Sequence, residues 1–230
     1  MSTNQWDQYA DLVDERIGDG GDALHTKYID PLILTHAGDT TGKTVVDLGC
    51  GNGYLYNKLP SPGSYIGIDY SAQLLEKAKN RTKVLPSTFF MLSDITKPLA
   101  LKQGVADVVV CNMVVQYLPS LGGLVSNVVT LLASGGTAIV VLDHPGHALF
   151  MRAQELAGKT NSKFITSASY FSEGLREKHS LWGKAKLTYY HRTVAAYVNA
   201  FSGSLRLDQM QEVSEDGEMP RILGLIWRKP

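Results

Sequence analysis

Cysteine is scarce in this sequence of 230 residues: only Cys50 and Cys111 are present, each in an apolar, strand-like neighbourhood. Two such residues give no disulfide framework, so we expect both to be buried in a protein of a reducing compartment. The polar and acidic residues 1–16 lack the basic and apolar parts of a signal peptide. The most apolar stretch, residues 131–142, is interrupted by a serine and two glycines. We therefore expect a cytoplasmic protein without a membrane span.

An excess of charge of either sign is also absent, because 22 basic residues balance 22 acidic ones. Nucleic-acid binding rests mainly on Lys and Arg at phosphates, so we predict no nucleic-acid partner and favour a small ligand. A hydrophobic content of 44% and a charged content of 19% are ordinary for a globular protein. The length suffices for one large domain, which we assign to residues 1–230.

Short β-branched runs alternate with helical patterns in the middle of the chain. The predicted strands are residues 44–48, 65–68, 88–92, 106–111 and 137–142, and the predicted helices are 54–59, 71–81 and 120–133. Alternation of this kind implies right-handed crossovers and a parallel sheet with helices on both faces. The sequence therefore predicts an α/β fold with a doubly wound, mostly parallel sheet.

The segments on either side of this alternation differ from it. The first part of the chain has helical character, and we predict an N-terminal helical cap over residues 1–40. After the fifth strand the pattern is lost among scattered aromatic residues, which predicts an inserted lid over residues 148–185, since long irregular segments are commonly functional. The chain then resumes with strand-like residues 186–193, an amphipathic segment and a terminal strand at 222–227.

The sequence "VVDLGCGNG", residues 45–53, joins the first strand to a glycine-rich turn. Ligands of doubly wound sheets bind outside the carboxyl ends of the strands, and glycine lets the backbone approach a ligand closely. The dinucleotide pattern G-x-G-x-x-G would require glycine at position 54, where the chain has Tyr54, which argues against NAD. The "GKT" at residues 42–44 precedes a strand instead of following one, so it is not a phosphate-binding loop.

Three acidic residues, Asp47, Asp69 and Asp94, follow three consecutive strands at the same edge of the sheet. Asp47 would repel a pyrophosphate but suits a cationic ligand. Asp69 can accept hydrogen bonds from a ribose diol, and Asp94 can accept from an exocyclic amine, with Ile95 flanking a base. Each alone is also a common turn former or helix cap, but together they indicate a cationic ligand that carries ribose and a base.

These motifs, followed by "ADVVVCNMVVQYL" and "LLASGGTAIVV" in that order and spacing, give the chain a family likeness. Over about residues 44–142 it resembles the class I S-adenosylmethionine-dependent methyltransferases, of the small-molecule type. The resemblance implies a seven-stranded sheet with a reversed last hairpin, to which residues 186–193 and 222–227 would contribute the final two strands. It also implies S-adenosylmethionine as cofactor and S-adenosylhomocysteine as product.

The resemblance further implies a set of cofactor-binding residues. The glycine loop would approach the methionine and ribose portion, Asp69 the ribose hydroxyls and Asp94 the adenine amine, while Asn112 and Met113 would lie near the sulfonium. The N-terminal helix covers the cofactor in many such enzymes, and a tyrosine matching Tyr9 can reach it. The full set is Tyr9, Asp47, Gly49, Cys50, Gly51, Asp69, Tyr70, Asp94, Ile95, Asn112 and Met113.

Methyl transfer from a sulfonium is an in-line displacement, which requires alignment of the nucleophile and, where needed, removal of its proton. Family members that methylate amide or exocyclic nitrogens often carry an Asn/Asp-Pro-Pro-Tyr-like sequence after strand four, but this chain reads "CNMVVQYL" there. An oxygen, amine or carbon acceptor therefore remains open. Candidate bases are His144, His147 and His191, because histidine changes protonation near neutral pH, although each can equally be a capping or packing residue.

The candidate acceptor-binding residues are Tyr28, Gln116, Tyr117, Phe150 and Tyr170. We expect the aromatic-rich lid to cover an apolar or aromatic acceptor and to exclude water. The sequence thus predicts O- or N-methylation of a small molecule, in secondary metabolism, by a monomer or homodimer without a metal. An RNA or protein methyltransferase and a non-catalytic S-adenosylmethionine-binding protein are the alternatives.

Overall fold

The computed structural model describes residues 4–81, 87–147, 170–180, 184–215, 217 and 219–230. The strands are β1 (Thr44–Leu48), β2 (Ser64–Asp69), β3 (Thr88–Leu92), β4 (Ala106–Asn112), β5 (Leu132–Asp143), β6 (Gly174–Ser180), β7 (Ala185–His191), β8 (Arg206–Ser214) and β9 (Pro220–Arg228). The α-helices are α1 (Gln5–Gln8), α2 (Ala10–Ile17), α3 (Asp30–Ala37), α4 (Ala72–Arg81), α5 (Gly122–Leu131) and α6 (Val194–Ser202). A π-helix spans His25–Ile29, and 3-10 helices span Tyr54–Lys58 and Val115–Tyr117.

Seven strands form one sheet in the order β3-β2-β1-β4-β5-β9-β8. The first five strands run parallel, and β9 runs antiparallel to both β5 and β8. The central strands are buried on both faces, as their unbroken apolar runs predicted. The predicted seven-stranded, mostly parallel, doubly wound sheet with a reversed last hairpin is therefore confirmed.

One strand assignment was wrong. Residues 186–193 do not enter the large sheet, because β7 pairs only with β6 in a separate two-stranded sheet. Instead, β8 occupies the edge beside β9. This edge strand is mostly exposed, so its side chains are polar and lack the apolar signal of a buried strand. Of β8, the sequence indicated only Arg206 and Leu207, through the short strand-like pattern at residues 205–207.

Two apolar cores lie on the two faces of the sheet. On one face α5 and α6 bury Leu124, Val128 and Phe201 against the strands, and the Phe201 ring stacks on Trp227 with centroids 5.5 Å apart. On the other face α3 and the 3-10 turn at Tyr54–Lys58 contribute a second buried cluster that includes Ile33. The helical stripe predicted for residues 120–133 is thus confirmed, although α5 ends at Leu131 and β5 begins one residue later.

Helices occupy most of the described N-terminal segment, residues 4–37. In the predicted lid, residues 148–169 and 181–183 lie outside the described residues, so the lid stays a prediction. The described part of that region forms β6 and the start of β7. Among the residues that the structure describes, no helix has the length and apolar character needed to cross a membrane.

Candidate cofactor and acceptor site

Two adjoining cavities open at the carboxyl edge of the parallel strands. Cavity A has a volume of about 400 Å³ and reaches past the ends of β2 and β3; cavity B has a volume of about 510 Å³ and reaches past β4 and β5. The wall shared by both cavities consists of Trp6, Val13, Gly49, Gly51, Met113 and Tyr117. The two cavities therefore form a continuous, two-part site over the glycine loop.

The glycine loop lies at the base of this shared wall. Gly49 has φ 83°, and a Cβ atom there would lie 2.6 Å from Val114 Cγ2, so only glycine fits. Gly51 has φ 55° and open space beside its Cα. The amides of Gly49 and Cys50 both donate to the Ile68 carbonyl, at 2.7 and 3.0 Å, which ties the loop to β2. The loop can therefore bring its backbone against a ligand, as the sequence indicated.

Asp69, at the end of β2, lines cavity A and is 8% exposed. Its Oδ2 accepts a hydrogen bond from the Gly51 amide and its Oδ1 from the Ser71 amide, each at 2.8 Å. Burial raises the pKa of Asp69, although these amides counteract the rise. Because each carboxylate oxygen has two lone pairs, Asp69 retains capacity to accept hydrogen bonds from hydroxyl groups.

The remaining acid of cavity A is Asp94, which follows β3. Its Oδ1 accepts hydrogen bonds from both the amide and the hydroxyl of Thr96, at 2.9 and 2.6 Å. Asp94 therefore stabilises a turn, which is the structural role that the sequence also allowed for it. Asp94, Ile95 and Tyr70 all line the cavity. A planar base would lie there between apolar surface and a carboxylate.

Asp47 ends β1 beneath cavity B and is 2% exposed. Its Oδ2 accepts a hydrogen bond of 2.6 Å from the Tyr65 hydroxyl, whereas its Oδ1 is buried without a partner in the described structure. Burial, together with the nearby charge of Asp69, raises the pKa of Asp47 to about 7, despite the Tyr65 hydrogen bond. A buried carboxylate of this kind is stabilised by a cationic ligand.

Asn112 and Met113 follow β4, where the family resemblance places the cofactor. Met113 has φ 54°, a left-handed conformation that non-glycine residues adopt at a cost of order 1–3 kcal/mol and that clusters at functional sites. It lines both cavities. Asn112 lines cavity B and donates from Nδ2 to the Tyr54 hydroxyl at 2.9 Å, while its Oδ1 is buried without a partner in the described structure.

Helix α1 lies over the two cavities. The Trp6 ring packs edge-on against Tyr117 with centroids 4.7 Å apart. At the β2 side the Ser71 hydroxyl donates to Asp7 at 2.6 Å, and at the hairpin side the amide of Thr188 donates to the Gln5 side chain at 3.2 Å. The N-terminal segment is therefore attached to both sides of the site that it covers.

Helix α2 is attached by ionic contacts. Arg81, at the end of α4, donates to Asp14 at 2.9 Å and to the Asn52 carbonyl of the glycine loop at 2.7 Å. Asn52 Nδ2 also donates to Asp14, at 2.9 Å, and Lys77 lies 3.7 Å from the same carboxylate. These contacts connect α2, α4 and the glycine loop around a single carboxylate.

The far end of cavity B is lined by charged groups. Asp143 Oδ2 accepts from Lys178 at 2.8 Å, and Asp143 Oδ1 accepts from Arg221. Burial alone would raise the pKa of Asp143, but the charges of Lys178 and Arg221 outweigh it and lower the pKa to about 2. Burial would likewise lower the pKa of Lys178, but Asp143 raises it above its ordinary value. Asp143 and Lys178 therefore remain ionised at neutral pH.

A histidine and a carboxylate face each other on the wall of cavity B. Asp22 Oδ1 lies 2.7 Å from His25 Nδ1 and accepts the His25 amide at 3.0 Å, where the π-helix begins. Burial opposes ionisation of Asp22, but the hydrogen bonds from His25 outweigh it and lower the pKa of Asp22. The carboxylate holds the proton on Nδ1, so Nε2 is the ring nitrogen able to accept one.

The three histidines predicted as bases lie outside both cavities. Both ring nitrogens of His144 are engaged, with Nε2 2.8 Å from Glu212 and Nδ1 accepting the Gly146 amide. His191 Nε2 donates to the Tyr170 carbonyl at 2.9 Å. Burial lowers the pKa of His147 and of His191. The structure therefore does not place these three residues on the wall of either cavity.

The other predicted site residues divide into two groups. Tyr117 lines both cavities, and the eleven predicted cofactor residues, except Tyr9, line at least one of them. Tyr28 and Tyr170 line neither, and the Tyr170 hydroxyl instead accepts the Val194 amide at 2.8 Å. Gln116 is buried and outside both cavities. Phe150 lies outside the described residues.

Sequence reasoning missed the charged residues of cavity B, Asp22, His25, Lys178 and Arg221. They come from three separated parts of the chain, and none belongs to a motif of fixed spacing. Only the proximity of Asp22 to His25, three residues apart, was a local signal. The part of the chain described by the structure holds no group of three or more His, Cys, Asp and Glu side chains suited to a metal.

The sheet order with its reversed last hairpin and the two-part cavity over the glycine loop define a class I S-adenosylmethionine-dependent methyltransferase. Residues 39–194 match the family model described as a methyltransferase domain. Because the match covers more than half of the chain, this protein belongs to that family.

Three curated proteins are similar in sequence. An uncharacterized protein of Haemophilus influenzae is 27% identical over 79% of this chain and 74% of its own length. A ubiquinone biosynthesis O-methyltransferase of Paraburkholderia xenovorans is 35% identical over 42% of each chain. A trans-aconitate 2-methyltransferase of Azoarcus is 28% identical over 72% of this chain and 65% of its own length. The chain spans less than two thirds of the latter two.

Solved structures agree on the fold. A methyltransferase from Mesorhizobium loti superposes with a TM-score of 0.69 at 21% identity, over 92% of this chain and 99% of its own. The N-methyltransferase NodS from Bradyrhizobium japonicum, solved with S-adenosyl-L-homocysteine, gives a TM-score of 0.68 at 15% identity, over 99% and 100% of the two chains. At these identities the likeness establishes the fold.

Proposed function

We propose that this enzyme transfers the methyl group of S-adenosylmethionine to a small, polar acceptor at oxygen or nitrogen. The observation that carries the proposal is the division of the site. Cavity A has carboxylates suited to a nucleoside, and cavity B ends in the ionised group Asp143, Lys178 and Arg221. A nucleoside and a polar acceptor can therefore occupy the two parts at once.

The residues present fit the cofactor. Two buried oxygens, Asp47 Oδ1 and Asn112 Oδ1, lack a donor in the described structure, and the ammonium group of the methionine moiety would supply one. Asp69 would accept from the ribose hydroxyls, and Asp94 with Ile95 would hold the base. When bound, S-adenosylmethionine supplies a methyl group on a positively charged sulfur. Asp47 and Asp69 favour that positive charge within the site.

The acceptor proposed here differs from the apolar or aromatic one expected from the sequence. The described walls of the acceptor end carry charges, and transferring an apolar group there would require desolvation of those charges without compensation. Lys178 and Arg221 can each donate hydrogen bonds to a carboxylate of the acceptor. Trans-aconitate, the acid in the name of one relative, is therefore the first acceptor to test.

We assign proton removal to His25, held in its tautomer by Asp22. As the acceptor oxygen or nitrogen forms its bond to the methyl carbon, the carbon–sulfur bond breaks and its electrons stay on sulfur. Where the acceptor atom is a hydroxyl oxygen or an amine nitrogen, the proton that it loses passes to His25 Nε2, which then releases it to water; an ionised carboxylate acceptor has no proton to lose. Burial under α1 and Trp6 keeps the displacement away from bulk water.

The binding part of the proposal is tested by calorimetric titration with S-adenosylmethionine, S-adenosylhomocysteine and NAD. We expect both sulfur nucleosides to bind and NAD not to bind; affinity for NAD alone would refute the assignment. Turnover is then measured as methyl incorporation from labelled S-adenosylmethionine into trans-aconitate, other small di- and tricarboxylic acids, and quinol precursors. Methylation of RNA or protein substrates but of no small molecule would favour the alternative function.

The cellular setting follows from the same proposal. Cys50 and Cys111 are both buried and unpaired, which suits a reducing compartment such as the cytoplasm. The balanced charge of the chain disfavours nucleic acid as a partner, and we propose a monomer or homodimer. Light scattering combined with size-exclusion chromatography would measure the oligomeric state.

A further inference from the structure

A group of buried hydrogen-bond acceptors adjoins cavity B. Asp47 Oδ1, Asn112 Oδ1 and Asp30 Oδ2 are each buried without a hydrogen-bond partner in the described structure, and only Asp30 Oδ2 has a cation nearby, Lys58 at 3.6 Å. Buried polar groups are almost always paired, because an unpaired one loses its hydrogen bonds to water without replacement. Asp47 and Asn112 both line cavity B. Their oxygens therefore match a ligand group that carries several donors.

The single hydroxyl proton of Tyr54 determines how the Asn112 amide is oriented. The Tyr54 hydroxyl lies 3.1 Å from Asp30 Oδ1 and 2.9 Å from Asn112 Nδ2. An ionised carboxylate only accepts, so the single phenol proton goes to Asp30, and the phenol oxygen accepts from Asn112. The amide nitrogen must then face Tyr54, which leaves Oδ1 on the other side.

Tyr54 is suited to hold this arrangement. It is 6% exposed, and its ring packs edge-on against His25 with centroids 5.2 Å apart. Burial, reinforced by the charge of Asp30, raises the pKa of Tyr54 well above its ordinary value, so the phenol keeps its proton. This is also the residue at which the dinucleotide pattern fails, because glycine is required there.

We propose that Tyr54 is a positioning residue for the cofactor: with Asp30 it orients the Asn112 amide so that Oδ1 accepts a hydrogen bond from the ammonium group, in the cavity that Asp47 also lines. The inference rests on S-adenosylmethionine as cofactor. It gives position 54 a function that glycine could not perform. A purely structural role of the Tyr54 ring would instead affect every ligand of the cavity equally.

The test compares two ligands that differ in one group. Calorimetric Kd values are measured for S-adenosylhomocysteine and for its des-amino analogue, in which hydrogen replaces the ammonium group. For Tyr54→Phe, which keeps the ring, we expect roughly tenfold weaker binding of S-adenosylhomocysteine and less than a twofold change for the analogue. Equal loss for both ligands, or no loss for either, would overturn the proposal.

A double-mutant cycle tests the route through Asn112. We expect Asn112→Ala to weaken the binding of S-adenosylhomocysteine as much as Tyr54→Phe does. The double variant should lose no more affinity than either single variant. Additive losses would show that Tyr54 acts independently of the amide and would refute the proposal. If Tyr54→Phe does not fold, Asn112→Ala can replace it in the two-ligand comparison. This variant is also expected to bind the des-amino analogue with an unchanged Kd.

Tyr56→Phe is the matched control, since Tyr56 lies on the same 3-10 turn and packs against Tyr65 with centroids 5.3 Å apart. It should leave both Kd values unchanged. If the unaltered protein binds neither ligand, the cofactor assignment itself fails. That result differs from a failure of the positioning role alone, in which the unaltered protein binds S-adenosylhomocysteine but the ammonium-specific loss is absent.

Discussion

His25 Nδ1 lies 2.7 Å from Asp22 Oδ1 on the wall of the cavity that we assign to the acceptor. The three histidines that the sequence singled out lie outside that cavity. A hydrogen-bonded carboxylate that fixes the imidazole tautomer is the usual support of a histidine general base. The candidate for the general base is therefore His25 in the N-terminal segment, instead of the histidines that follow β5.

For His25→Asn we expect turnover to fall by roughly 10²–10⁴-fold, the usual contribution of a general base, while the Kd of S-adenosylhomocysteine changes by less than twofold. The assay uses a hydroxyl-bearing acceptor of the panel, such as a quinol precursor, because an ionised carboxylate has no proton for a base to remove, and kcat is measured from pH 5 to 9. His144→Asn is the comparison, because His144 is held by Glu212. Loss of turnover in His144→Asn alone would return the role of base to that residue.

Replacement of Asp69 tests the ribose contact. Asp69→Ala should weaken the binding of S-adenosylhomocysteine by about 1.5–3 kcal/mol, which is the contribution of a hydrogen bond to a charged group. Part of this loss of affinity will arise because the Gly51 and Ser71 amides no longer have a hydrogen-bond acceptor. Calorimetry measures the loss, with Asp11→Asn as control because that side chain is 93% exposed. Unchanged affinity would exclude Asp69 from the cofactor site.

The raised pKa of Asp47 leads to a pH dependence. The unfolded carboxyl ionises near pH 4, whereas the buried one ionises at about 7, so this residue makes the free protein less stable as the pH rises from about 4 to 7. The ammonium group of S-adenosylhomocysteine favours the ionised carboxylate of Asp47, so the affinity for this ligand should increase as the pH rises through about 7. Calorimetry between pH 5.5 and 8.5 measures this increase.

The same titration of Asp47→Asn provides the control. The amide cannot ionise, so the increase in affinity around pH 7 should disappear, and the stability difference between pH 5 and pH 7 should become smaller in thermal unfolding. An unaltered pH profile in Asp47→Asn would show that another group titrates there.

Arg81 holds α2 against the glycine loop, because it donates both to Asp14 and to the Asn52 carbonyl. We therefore expect Arg81→Met to increase the dissociation rate of S-adenosylhomocysteine by several-fold. Stopped-flow measurements compare the dissociation rates of the two proteins. Equal rates in both proteins would mean that α2 does not control release.

Much of the fold could be predicted from the sequence, because parallel central strands and their helices carry repeated local signals. The β-branched runs of β1 and β4 and the apolar stripe of α5 are examples. The edge strand β8 escaped prediction because it is exposed and polar, and β7 was assigned to the wrong sheet because pairing depends on partners far along the chain.

The position of the three carboxylates was predictable for a related reason. Asp47 and Asp69 lie at the carboxyl ends of β1 and β2, and Asp94 lies two residues after β3, so the topology of a parallel sheet brings them to one edge. The topology of the sheet does not predict which charged residues line the cavity that we assign to the acceptor. Asp143 meets Lys178 and Arg221 only after the hairpin of β6 and β7 and the reversed strand β9 have packed against β5.

The sequence by itself determined the parallel sheet, the glycine loop and the carboxylates of the cofactor site, because each depends on residues adjacent to a strand end. Only the tertiary structure decided which histidine lines the cavity that we assign to the acceptor, which charges line that cavity, and that Tyr54 bonds to Asp30 and Asn112. Some of these relationships join residues far apart in the chain: Tyr54 and Asn112 are separated by 58 positions, and Asp143 and Arg221 by 78. Such pairs are specified by packing of the whole chain and not by any local pattern.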